Sequence, residues 1–329
     1  MNRKCYGYVW IRVIFQNDKS YVRATDLEFE ITDLFYNELL LSSLLPVKAS
    51  FEPFSKPYNN IKINFDQWLF GVEELSQKQR VWCAATSINA VANMHNLCLQ
   101  ENINIPPYLD IFLMFNIPSA AWMSHYGGIN QIIWAQLLNL ISGPYHNPAM
   151  LFLPDILLDR NDPHRRFSRV PIHEMTHASH FTNVNVTWYQ ILTQTEFDNG
   201  GHGNGNEPNA GYVAIAESWA NHIEAYYIEA PIGYNLNMDN IEFENPFDLL
   251  IMEWIPDGLY YDLMDNFESV PTIVDNGGGF NNAMMFDVLD ATTRSISEFE
   301  TNLWNTYNGS PLVTFNQNDL ILLVDSYGF

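Results

Sequence analysis

The stretch that most constrains this chain is Ile172-His173-Glu174-Met175-Thr176-His177-Ala178-Ser179-His180, which contains the pattern H-E-x-x-H. Residues four apart on a helix share a face one turn apart, so His173 and His177 are expected to aim ring nitrogens at a common point. Zinc accepts imidazole nitrogen readily and is the ion that this geometry suits. Glu174 falls beside that axis, where a carboxylate can accept a proton from an attacking water, so its expected role is general base. Three fixed positions also recur by chance on solvated helices. Val170, Pro171 and Ile172 before the motif and Phe181 after it argue instead for a helix docked in a core, with a polar stripe turned inward.

A catalytic zinc takes three protein ligands and leaves one position for water, so the motif needs a partner. His180 lies on the same face, but the helix rises ~10 Å from His173 to that residue, too far for a shared ion with bonds of ~2 Å. No glycine at Ala178-Ser179 breaks the helix to bring it back. His180 is therefore expected beside the ligands or facing substrate. Glu217 is the better third ligand, a carboxylate set between Val213-Ala214-Ile215-Ala216 and Trp219-Ala220. A buried carboxylate needs a compensating charge, which a metal ion supplies. At about 100° per residue, Glu217, Asn221 and Glu224 share one helix face and Ile215, Trp219, His222 and Tyr226 share the opposite one. His222 is thereby set aside as a ligand. Asn221 is expected beside the ligands or facing substrate, and Glu224 either orients a ligating histidine from behind or is a solvated carboxylate at the helix end.

The rest of the chain reads as scaffold. At 329 residues it exceeds a typical domain of ~100–200 residues, and two domains are expected. Hydrophobic residues make up 47%, which is ample for a core and excludes a disordered chain. Tyr6–Phe15, Tyr21–Ile31, Val47–Phe54 and Ile61–Phe65 alternate like strands, giving a small antiparallel β module over residues 1–72. After Phe70-Gly71 the period becomes helical from Ser76 to Leu99, and a mainly α-helical domain is expected over residues 73–329. The fold class is thus α+β. Within the second part, Gln131–Leu140, Tyr212–Glu229, Pro246–Met252, Leu259–Phe267, Met284–Tyr307 and Asp319–Ser326 read as further helices. Met150–Leu158 is an apolar run of strand length, either an edge that pairs with extended substrate or a buried core strand. Asn199–Gly211 is rich in glycine and asparagine and reads as a mobile loop, in which His202 either reaches the site or is solvated.

Charge and cysteines narrow the partners. Fifteen Lys+Arg against 38 Asp+Glu give a net charge of −23, which repels phosphate backbones, so no nucleic-acid partner is expected. Cys5, Cys83 and Cys98 are too scattered for a disulfide framework or a cysteine zinc site, and Cys83 and Cys98 are expected as buried free thiols. No run approaches the ~18–20 apolar residues of a membrane span, and Met1-Asn2-Arg3-Lys4-Cys5 lacks the apolar core of a signal peptide. Strand-like residues from Tyr6 onward suggest a chain that begins inside a domain.

With H-E-x-x-H followed by Glu217-Ser218-Trp219-Ala220 forty residues after His177, the chain resembles the gluzincin class of zinc metallopeptidases, in which a second helix donates a glutamate ligand. His173–Phe181 and Glu217–Ala220 are also similar to H-E-L-A-H-A-S-H-W and E-S-W-A segments in an uncharacterised group of bacterial proteins, mostly predicted to be secreted. Some of these carry a small β module ahead of the zinc domain, as residues 1–72 do; a carboxypeptidase-regulatory-like sandwich is the implied form. The resemblance covers residues 150–230. It implies a zincin-like domain, Zn²⁺ held by His173, His177 and Glu217, Glu174 as base, a peptide or protein substrate, and a secreted or cell-envelope location. Met175-Thr176, Asn221 and the long loop before Glu217 depart from the group's pattern without removing a chemical group. The residue that would stabilise the oxyanion stays open among Tyr212, Tyr226, Tyr227, Tyr234 and His180.

Two rivals accompany the peptidase reading. One is a non-catalytic cell-envelope binding protein that keeps a structural zinc site. The other is a zinc hydrolase acting on a non-peptide amide or a glycan-linked substrate.

Overall fold

A computed structural model describes residues 9–28, 48–54, 77–115, 121–123, 155–159, 167, 169–232, 254–265 and 273–329. Two compact units emerge. The first comprises Met1–Ala92, Tyr108–Trp122 and His146–Pro171, and the second comprises Asn93–Pro107, Met123–Tyr145 and Ile172–Phe329. Helices predominate among the described residues, and the class is α+β in the broad sense.

In the first unit, β1 (Val9–Ile14) pairs antiparallel with β3 (Lys48–Phe54), from Val9 opposite Phe54 to Ile14 opposite Lys48. The strand between them in sequence, β2 (Ser20–Glu28), does something else. It runs parallel to β4 (Leu109–Phe115), which in turn runs parallel to β6 (Ile156–Asp159), and β5 (Ala121–Met123) completes the order β2-β4-β6-β5. This corrects the expectation of an antiparallel module confined to residues 1–72. Parallel neighbours need a long crossover, and the connection from β2 to β4 contains the 25-residue helix α1 (Gln77–Glu101). Parallel strands are also covered on both faces, which is why β4 reads Leu-Asp-Ile-Phe-Leu-Met-Phe and buries Leu109, Ile111, Phe112 and Leu113. Asp155 ties the start of β6 to β4, its Oδ2 accepting from the Asp110 N–H at 2.7 Å. Because β6 has a neighbour on each side and buries Ile156 and Leu158, it is a core strand and offers no free edge to a substrate.

The second unit is built on two helices around the motif. Helix α2 (Val170–Asn183) tolerates Pro171 because the first turn has no intrahelical use for that N–H. It buries Ile172, Met175 and Ala178, and Thr176 returns its hydroxyl to the Ile172 carbonyl at 2.9 Å. Helix α3 (Val186–Asn199) starts at Asn185, whose side chain accepts from the Trp188 N–H, and stops at Gly200, whose φ of 67° a glycine adopts without strain. Helix α4 (Ala210–Ile232) is apolar nearly all round, with Val213, Ala214, Ile215, Ala216, Trp219, Ala220 and Ile223 buried, so it runs through the core. Trp219 packs edge-on to Tyr260 at 5.2 Å, and Tyr260 to Phe299 at 5.1 Å. These rings come from α5 (Leu259–Asp262) and α7 (Ile296–Tyr307), which with α6 (Asn282–Val288) and α8 (Gln317–Ser326) complete the described helices.

Met284–Tyr307, expected as one helix, is two. Leu289 at φ −81° and ψ 54° ends α6, and Ser295 caps α7 by accepting from the Glu298 N–H. Ser-x-x-Glu is a helix-start signature, so the break was written in the sequence. Helix α5 ends at Asp262, short of the expected Phe267, which lies outside the described residues. So do the expected strand Ile61–Phe65, the expected helices Gln131–Leu140 and Pro246–Met252, and Tyr234. Cys83 and Cys98 are free and buried, and burial pushes the Cys98 thiol up to about 12, leaving it an inert core residue. No described helix is long and apolar enough to cross a membrane.

Candidate metal centre

The two motif histidines and the α4 glutamate converge within the second unit. His173 Nε2 stands 3.2 Å from His177 Nε2, 3.2 Å from Glu217 Oε2, and Glu217 Oε1 is 3.2 Å from His177 Nε2. Two ligands bound at ~2 Å in tetrahedral geometry stand about 3.3 Å apart, so each of these spacings is that of two groups on one ion, with the Glu217 carboxylate turning one oxygen to each histidine. The Glu217 side chain is buried, and its Oε2 lacks a hydrogen-bonding donor. Two imidazoles and a carboxylate that converge on one point suit a cation at their centre.

The surroundings hold this geometry in place. Glu224 Oε2 lies 3.3 Å from His173 Nδ1, the nitrogen that faces away from Glu217, and so fixes that ring from behind. Tyr189 of α3 donates its hydroxyl to the His177 carbonyl at 2.7 Å, locking α3 onto the motif helix. Asn183 donates from Nδ2 to the carbonyls of Phe286 and Leu289, which anchors the far end of α2. Asn221 points to neither histidine, its Nδ2 donating to Asp257 Oδ1 at 2.8 Å. Burial lifts the Asp257 carboxyl to about 7, against the lowering effect of that hydrogen bond.

Charges are dense here. Burial acts to lower the His173 imidazole, but Glu217 and Glu224 outweigh it and hold it well above the ordinary value. For Glu217 burial acts upward, and His202, His177 and His173 together hold the carboxyl well below its usual range. Glu174 is buried on α2, and that burial raises its carboxyl, while His173 and His177 pull the other way.

His180 and His222 lie apart from these donors, His222 as the helical period requires. His180 is 1% exposed and sits between rings, 4.9 Å from Trp188 and 5.7 Å from Tyr189, where burial drops its imidazole to about 3. It is a buried core side chain packed among these rings. His222 bonds Asn282 Oδ1 at 2.8 Å on the opposite side of α4, with Asn282 passing a hydrogen bond to Glu101.

Two residues that the sequence did not single out as ligands do reach the centre. His202 Nε2 is 3.5 Å from Glu217 Oε2 and 3.8 Å from Glu196 Oε1. Glu196 belongs to α3, which had no sequence assignment. Its signal was present: Asn185 as cap, Trp188, Tyr189, Leu192 and Thr195 on one buried stripe, and Gly200 as stop. The loop carrying His202 is also more fixed than its composition suggests. The Asn204 N–H donates to both oxygens of Glu207, at 2.9 and 3.0 Å, and Trp254 Nε1 donates to the Gly203 carbonyl at 3.1 Å. Gly205 lies flat under the Trp254 ring at φ 84°, where an added Cβ would come within 2.9 Å of it.

Glu224→Gln keeps the size of the side chain and removes the charge behind His173. It is expected to weaken metal binding ~10–100-fold without unfolding the protein. Competition with a chromophoric chelator measures this, and unchanged affinity would show that Glu224 does not orient the ring. No protein-family model, curated protein or solved structure matches this chain.

Proposed function

We propose that this chain is a zinc-dependent metallopeptidase of zincin-like organisation, with His173, His177 and Glu217 as the metal ligands and Glu174 as general base. The observation that supports it most is the convergence of His173, His177 and the Glu217 carboxylate from α2 and α4, with their nitrogen and oxygen atoms in contacts of 3.2 Å. Two imidazoles with one carboxylate is a ligand set of catalytic zinc, whereas structural zinc is closed by four protein ligands, mostly cysteine. When bound, the ion supplies a Lewis acid that acidifies water and polarises a carbonyl. The side chains do the remainder. Glu174 accepts the proton of the attacking water and carries it to the leaving amine, a transfer suited to a carboxyl whose burial has raised its affinity for protons. Glu224 holds the His173 ring through Nδ1, and Tyr189 holds the backbone at His177.

The substrate in this reading is a peptide or protein, met in the secreted or cell-envelope setting that the resemblance implies. Wild-type protein is expected to cleave an unfolded protein substrate, to lose that activity under a chelator while staying folded, and to regain it with zinc. A folded, metal-loaded protein that leaves peptide bonds intact would overturn the reading. Cleavage of other amides by that protein would favour the non-peptide hydrolase, and collapse of the fold on chelation would favour a structural site in a binding protein.

A further inference from the structure

A second group of donors adjoins the first. Glu196 on α3, His202 in the glycine-rich loop and Glu217 on α4 place one ligand atom each within 4.8 Å of one another. Glu217 is common to both groups. Its Oε1 faces His177 at 3.2 Å, while its Oε2 lies 3.2 Å from His173 and 3.5 Å from His202. A carboxylate has about four lone-pair directions on two oxygens, so it can serve two cations at once. Sites with two ions ~3.5–4 Å apart are a recurrent hydrolase design, in which one ion acts at the attacking oxygen and the other at the departing one.

Charge favours the same arrangement. The carboxylates of Glu174, Glu196, Glu217 and Glu224 gather about His173, His177 and His202. Glu217 Oε2 is buried with no hydrogen-bonding donor, an atom left for a cation from either side. The loop is shaped to present His202, since Trp254 holds Gly203 by a hydrogen bond and Gly205 by packing.

We propose that Glu196, His202 and Glu217 form a second metal position that shares Glu217 with the His173–His177–Glu217 position. This rests on the reading of the first position as a metal site. Two carboxylates and one imidazole make it the harder of the two, suited to a divalent ion such as zinc or manganese. The side chains of His202 and Glu196 are 31% and 27% exposed, against 8% for His177, so the second ion is the more accessible and the weaker bound.

Zinc titration of the metal-free protein, with bound metal counted by elemental analysis after dialysis, tests this. Wild type is expected to take up two ions per chain in two separable steps. Combined Glu196→Gln and His202→Asn substitution is expected to abolish the weaker step and leave the tighter one, which also shows that the variant is folded. Should the variant fail to fold, manganese loading of wild type decides: two ions bridged by a carboxylate give a spin-coupled paramagnetic resonance spectrum. One ion per chain at saturation, or manganese spectra of isolated ions only, overturns the second position while leaving the first. A single step that the substitutions weaken without changing the count overturns it too, making His202 an accessory to one ion. No bound metal at all overturns both.

Discussion

Replacing Glu174 with glutamine is expected to lower kcat by ~10²–10⁴-fold while metal content stays at the wild-type level. The amide has the shape of the carboxylate and cannot accept the proton. Because Glu174 is buried and is not one of the three converging residues, its loss should leave His173, His177 and Glu217 in place. The pH profile carries the same signature. Burial raises the Glu174 carboxyl above its ordinary range, and the base must be ionised to work, so activity falls as pH falls through that raised value. Residual activity in the glutamine variant should lose this acid limb. Equal rates in the two proteins at equal zinc content would sink the mechanism.

The second large effect concerns α4. Glu217→Ala is expected to reduce metal affinity by more than the ~10–100-fold typical of losing a partner behind a ligand, because it removes one of the three ligating groups, the carboxylate that contacts both His173 and His177. His222→Ala, five residues on, is expected to leave affinity unchanged. It breaks the link to Asn282 at 2.8 Å and opens a space beside Trp219 and Tyr260, so its cost is in stability, on the order of 2 kcal/mol. Isothermal titration with zinc and thermal unfolding of both variants separate the two. Affinity lost in His222→Ala and kept in Glu217→Ala would reverse the assignment of helix faces.

Both variants probe the part of the centre that was legible in the sequence, and the reason is local. His173 and His177 are linked by helical spacing alone, and Glu217 stands out because a carboxylate in Val-Ala-Ile-Ala surroundings must find a partner. Helical period likewise separates Glu224, which meets His173, from His222, which does not. Glu196 was illegible, and His202 could only be left between reaching the site and being solvated, for the opposite reason. Their approach to Glu217 depends on where α3 stops and how Trp254 clamps a loop some fifty residues earlier in the chain. The fold divides in the same way. Strand boundaries for β1, β2 and β3 follow from alternation, but alternation is the same in parallel and antiparallel ladders. That β2 turns to β4 depends on an apolar run more than eighty residues away, which no local pattern announces.

The donors at His177 and Glu217 sit at the two ends of a span that contains all of α3 and the glycine-rich turn. A cation gripped at both ends would be a removable crosslink between α2 and α4. Unlike a disulfide it would leave when the chain unfolds, so its stabilisation would be binding energy gained by the native state alone, growing with the concentration of free ion. It would be switched by ion supply where a disulfide is switched by redox state.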